Sequence, residues 1–133
     1  MKLLTDRQLV EKAIEAQKNS YAPYSSFNVG AALMTKEGQV FLGCNIENSV
    51  FSPTVCAERT AFFKAVSEGH REFLKIAVVG GKDFSHNGLC TPCGVCRQVM
   101  KEFCGKDFEI IMYDGKETVK KTLEELLPLA FKL

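Results

Sequence analysis

A strand that is apolar along nearly its whole length has no face to offer water, so it belongs inside a sheet covered on both sides. Residues 74–81, LKIAVVGG, read as such a strand. It demands layers above and below it, and the flanking segments supply them. Thr5-Asp6-Arg7-Gln8 has the form of a capping box, and Leu9, Val10, Ala13 and Ile14 follow at helical spacing. The pattern predicts a first helix to about Lys18, ended by the turn-rich NSYAPYSS. FNVGAALMT then sets Phe27, Val29, Ala31 and Leu33 on one face of a strand; KEGQ turns the chain, and VFLGCNI returns it as the second arm of a hairpin.

From Cys56 onward, CAERTAFFKAVSEG carries Ala57, Ala61, Phe62, Ala65 and Val66 on one stripe, with Gly69 as a stop signal. The polar loop KDFSHNGLCTP leads from the apolar strand to a second Cys-bearing helix, CGVCRQVMKEF. FEIIMYD is a further strand, DGKE a turn, and Thr122 with Glu125 forms a second capping box before a helix stopped at Pro128. Strands alternating with helices after an initial hairpin predict an α/β sheet with helices on both faces. A length of 133 residues fits one domain, 1–133.

Composition narrows the function. A net charge of +1 offers no basic field for nucleic acid. The start, MKLLTDRQLV, turns charged too soon for a signal peptide or a membrane span, so a cytoplasmic protein is expected. In a reducing compartment the six cysteines are better suited to metal binding or catalysis than to disulfides.

Three of the cysteines stand in CTPCGVC. Its spacing departs from the bacterial iron–sulfur run, because the next cysteine is Cys104 with no proline after it. Cys93 and Cys96 lie three residues apart behind Pro92, at a helix start where free N–H groups and the helix dipole favour thiolate. Cys56, after SPTV, repeats that arrangement. Two such helix tips can converge on one cation with three ligands and an open position, the pattern of a catalytic zinc site. With Cys90 as a fourth ligand the site would be closed and structural, in a zinc module for protein binding. Glu58, two residues after Cys56, can serve as a proton carrier if Cys56 is a non-helical cap; the competing reading is a first-turn dipole partner. Arg59 can fold back to draw charge from the sulfurs or lie in solvent, and Arg97 is a weaker candidate for the same role.

TVCAERTA followed some way on by PCGVCRQV resembles the cytidine deaminases, specifically their short, three-cysteine type. YAPYSSFNVGAAL, GCNIENS and EELLPLAF resemble further segments of that family, so the likeness spans nearly the whole chain. It implies a three-layer α/β/α sandwich around a mixed five-stranded sheet. It also implies one zinc per subunit on Cys56, Cys93 and Cys96, with Cys90 left out, and hydrolysis of cytidine and 2′-deoxycytidine in pyrimidine salvage. By the same resemblance Glu58 shuttles protons, and Asn45 and Glu47 hold the ribose 3′-hydroxyl. Phe27 lies beside the pyrimidine, and the Ala57 N–H meets the ring carbonyl. Phe131 reaches a neighbouring active site in a homotetramer. The sequence departs from the commonest family wording at Phe51, Thr91 and Val95. Cys44 and Cys104 are expected to be small buried residues, and His70 and His86 to lie at the surface, with His86 a remote alternative ligand.

Overall fold

The computed structural model describes residues 3–133. Helix α1 (Asp6–Gln17) is closed at its start by the expected capping box between Thr5 and Gln8. Strands β1 (Phe27–Thr35) and β2 (Val40–Cys44) form the hairpin. Helix α2 (Ala57–Ser67), strand β3 (Phe73–Lys82), helix α3 (Gly94–Phe103) and strand β4 (Glu109–Tyr113) follow. Strand β5 (Thr118–Thr122) and the short helix α4 (Leu123–Leu126) complete the chain.

The sheet runs β2-β1-β3-β4-β5. Only β3 and β4 are parallel, joined through α3; the other neighbours are antiparallel. Alternate residues of the central strands feed two cores. Val29, Ala31, Leu33, Ile76, Val78, Ile110 and Met112 meet Phe62 of α2 and Met100 of α3 on one face. Ala32, Met34, Ala77, Val79 and Ile111 meet Leu9, Val10 and Ala13 of α1 on the other. This is the sheet between helical layers that the alternation of elements predicts, and its mixed, five-stranded order is the one that the family resemblance implies. The hairpin pattern understated β1: the intervening Ala32 and Met34 are buried as well, because α1 covers the face to which they point.

β5 left no apolar pattern in the sequence. TVKKT is an edge strand with largely exposed side chains, held by its backbone ladder to β4. Lys120 pairs there with Asp6 at 3.1 Å, and Asp6 also pairs with the buried Lys75 at 2.7 Å, pinning the start of α1 to the sheet. Lysine on an edge also discourages pairing with another chain.

Gly43 sets the height of α2 above the sheet. A Cβ at that position would lie 2.4 Å from Ala57 O and 2.5 Å from Ala61 N, both backbone atoms of α2. Neither can step aside without moving the helix whose first turn carries Ala57 and Glu58. Gly43→Ala is therefore expected to destabilise the fold by about 3 kcal/mol, read from the denaturant midpoint.

Candidate active site

The starts of α2 and α3 converge, as the two cysteine motifs imply. Cys56 is the N-cap of α2 in an extended conformation (φ −76°, ψ 154°), and Cys93 caps α3 in the same way (φ −70°, ψ 168°). Cys93 Sγ accepts a hydrogen bond from Cys96 N at 3.5 Å, tying the second motif into one turn. Their sulfurs, with that of Cys56, all lie within 4.8 Å of one another. Cys56 Sγ to Cys93 Sγ is 3.8 Å, and Cys93 Sγ to Cys96 Sγ is 3.5 Å. A disulfide would bring two sulfurs to about 2 Å. A tetrahedral cation with bonds near 2.3 Å to sulfur holds its ligands about 3.8 Å apart. The three side chains fit zinc. Cys90 stands outside the cluster, and so does His86.

The electrostatics agree with a thiolate site. The Cys96 thiol, opposed by burial and aided by Arg59 and Cys93, pulls Cys56 down to about 5. The same bond to Cys56, together with burial, pushes Cys96 up, so the pair shares one proton that a bound cation would displace. Arg59 Nη2 donates to Cys56 Sγ at 3.4 Å, as the sequence suggested. Among the described residues, Arg59 Nε is the one buried polar side-chain atom without a hydrogen-bond partner. The guanidinium turns toward sulfur instead of toward any carboxylate. Arg97 takes no part in this, since its Nε donates to Pro92 O at 2.7 Å and its Nη1 to Leu126 O at 2.6 Å. It ties the turn bearing Cys93 to the end of α4.

Glu58 lies in the first turn of α2 and is 4% exposed. Because Cys56 is a cap outside the helix, the two-residue spacing does not turn the carboxylate away. Glu58 lines a cavity of about 260 Å³ together with Cys56 and Cys93. Burial raises its carboxyl to about 7, with the Cys56 thiolate pushing the same way. A carboxyl balanced near neutrality both takes and returns a proton.

The same cavity is lined by Phe27, Asn45 and Glu47. Phe27, 41% exposed at the start of β1, is a wall of the cavity rather than a core residue. The Asn45 side chain is already engaged: Oδ1 accepts from Val29 N at 2.9 Å, and Nδ2 donates to Phe27 O at 2.7 Å. One amide hydrogen is left for a ligand. Glu47 Oε1 accepts from Tyr24 N at 2.9 Å and Ser25 N at 3.2 Å, and Oε2 accepts from Ser25 Oγ. The Ser25 hydroxyl, above all, holds the Glu47 carboxyl below its usual range, so it is an anion with an acceptor site to spare. Ala57 is fully buried at the first position of α2, where the N–H has no partner within the helix.

Phe131 does not line this cavity. It is 70% exposed, and its carbonyl accepts from Gln98 Nε2 at 2.8 Å. Sequence reading also set aside Cys90 and passed over Val29, both of which line the cavity. Val29 shares the Phe27 face of β1 and Cys90 stands in CTPCGVC, but neither pattern shows that the residue walls a cavity, which follows from how β1, β3 and the loop before α3 pack. His70 and His86 are half-buried rather than surface residues: His70 packs on Phe41, and His86 Nε2 lies 2.7 Å from Gln17 Oε1.

Residues 4–112 match the family model of the cytidine and deoxycytidylate deaminase zinc-binding region. The chain belongs to that family. The cytidine deaminase of Halalkalibacterium halodurans is 48% identical over 128 residues, 95% of this chain and 94% of the relative. That of Sporosarcina psychrophila is 46% identical over 93% of this chain and 89% of its own. A crystal structure of cytidine deaminase from Burkholderia pseudomallei superposes with a TM-score of 0.88 at 44% identity, covering 96% of this chain and all of the other. The match runs through both cysteine motifs and the strands that position them. Among the described residues no helix is long and apolar enough to cross a membrane.

Proposed function

We propose that this chain hydrolyses cytidine and 2′-deoxycytidine to uridine and 2′-deoxyuridine with release of ammonia, using one zinc ion held by Cys56, Cys93 and Cys96. The observation that carries the reading is a buried carboxylate beside three converging thiolates in a cavity with one apolar wall and one polar wall. Zinc bound there supplies Lewis acidity that makes a water nucleophilic near neutral pH.

The remaining steps fall to side chains. Glu58 takes a proton from the attacking water as its oxygen bonds to C4 of the base, and delivers that proton to N3. It then takes the second proton of the added oxygen and passes it to the amino nitrogen. The C4–N bond breaks, ammonia departs, and the C4 carbonyl forms. Arg59 holds the Cys56 thiolate, the Ala57 N–H orients the ring carbonyl, and Phe27 flanks the ring. The Glu47 anion accepts from the ribose 3′-hydroxyl, while Asn45, with most of its amide committed to β1, chiefly braces that wall. Purified protein given cytidine should lose absorbance as uridine forms, with about one zinc per chain in the same sample. Absent turnover with zinc in place would remove the reading.

Phe131 acts in trans in this proposal, in a homotetramer with shared sites. Its exposure supports this, as do the exposed Phe51, Val50 and Val95. Removing residues 131–133 is expected to raise the KM for cytidine about tenfold or more, since stacking on a base contributes about 1–3 kcal/mol. An unchanged KM would place Phe131 away from the base. Six free cysteines, three of them needed as thiolates, suit the reducing cytoplasm.

A further inference from the structure

Cys90 is not one of the clustered sulfurs, yet it lines the same cavity as Cys56, Glu58 and Phe27. Its sulfur fills space that a side chain on β3 would otherwise take. A Cβ on Gly80 would lie 2.7 Å from Cys90 Sγ and 3.1 Å from Val29 Cγ2. Gly80, Val29 and Cys90 therefore pack as one wall. Burial pushes the Cys90 thiol up to about 12, and the negative charge of Glu58 and Cys56 adds to this. The group is a neutral, compact, apolar surface.

Resting on the deamination proposed above, the edge of the base that meets this wall can be found by going round the ring. The sugar on N1 points to Asn45 and Glu47, the C2 carbonyl to Ala57, N3 to Glu58, and C4 to the three sulfurs. C5 and C6 remain. Of the other lining residues, Ser25 is bonded to Glu47, Thr54 Oγ1 accepts from Asn48 N next to Glu47, and Val55 pairs with Ile46, all three on the sugar's side. Thr91 is exposed at the mouth. Val29 and Cys90 are left facing the C5 edge.

We propose that Cys90 is a specificity-determining residue, whose thiol, packed on Val29 over Gly80, limits the size of the substituent accepted at pyrimidine C5. The test is the ratio of kcat/KM for 5-methylcytidine to that for cytidine, in the zinc-loaded protein and three variants. Cys90→Ala is expected to raise the ratio about tenfold and Cys90→Val to lower it about tenfold, the scale of one methyl group in an apolar pocket. Cys90→Ser, nearly equal in volume, should keep the ratio within about twofold. A role in packing alone would move both substrates together and leave every ratio unchanged, which overturns the assignment. A shift in Cys90→Ser as large as in Cys90→Ala overturns it too. Cytidine turnover with unmoved ratios sinks this inference only, whereas a wild-type protein inert toward both nucleosides sinks the deamination itself.

Discussion

Glu58→Gln is expected to lower kcat for cytidine by about four to six orders of magnitude while the protein keeps its zinc and its fold. Glutamine matches the carboxylate in shape, so the cavity and the first turn of α2 are preserved. What it lacks is a site that accepts a proton and gives it back. Among the described residues Glu47 is the one other carboxylate that lines the cavity, and both its oxygens are held by Ser25 and the Tyr24 backbone. The burial of Glu58 makes the control decisive. A carboxylate that is 4% exposed costs free energy to desolvate, and a neutral amide costs less. The variant should therefore unfold at a temperature no lower than the wild type. Zinc content by metal analysis, Tm and kcat on one preparation separate the possibilities. A loss of turnover with retained zinc and undiminished Tm assigns Glu58 to the chemistry. Appreciable turnover would mean that another group carries the protons.

How much of this was legible in the sequence depended on whether the signal was local. The capping boxes at Thr5 and Thr122 and the apolar run of β3 depend on neighbours a few residues away, and each forms where the pattern places it. The cysteine motifs were legible as helix starts for the same reason. Their meeting was not a local property. It depends on Gly43 letting α2 settle on β2 and on α3 bridging β3 to β4. β5 escaped because a strand of Thr, Val and Lys at an edge is specified by the backbone ladder of β4 and by the charges around Lys120, not by an apolar face of its own. Asn45 shows the opposite failure. The family resemblance set it beside Glu47 on the substrate, but nothing in the sequence revealed that its amide would be spent on the backbone of β1. His86 took a half-buried place against Gln17 and Tyr113 because the loop that carries it folds back over α1.

Cys96→Ala is expected to reduce zinc from about one per chain to less than about 0.1 after dialysis, with cytidine turnover falling to background. Of the three clustered sulfurs, that of Cys96 lies deepest, its residue 1% exposed, whereas Cys93 is open to solvent. Water can stand in for an outer ligand more readily than for one at the floor of the site. With Cys96 gone, two thiolates remain, and a cation held by two sulfurs loses much of the roughly 10–16 kcal/mol that a complete set of protein ligands supplies. The fold should survive the change. Cys56 keeps its bond from Arg59, and Cys93 still caps α3 through its own backbone conformation. Cys104→Ala is the matched control. Its thiol is half-buried on the same side of the sheet and outside the cluster, so its loss removes packing but no ligand. Zinc loss in Cys96→Ala alone assigns the metal to the three converging sulfurs. Full zinc in Cys96→Ala would bring Cys90 back as a ligand, and with it, in the unsubstituted protein, a closed site of four sulfurs in which water has no place beside Glu58.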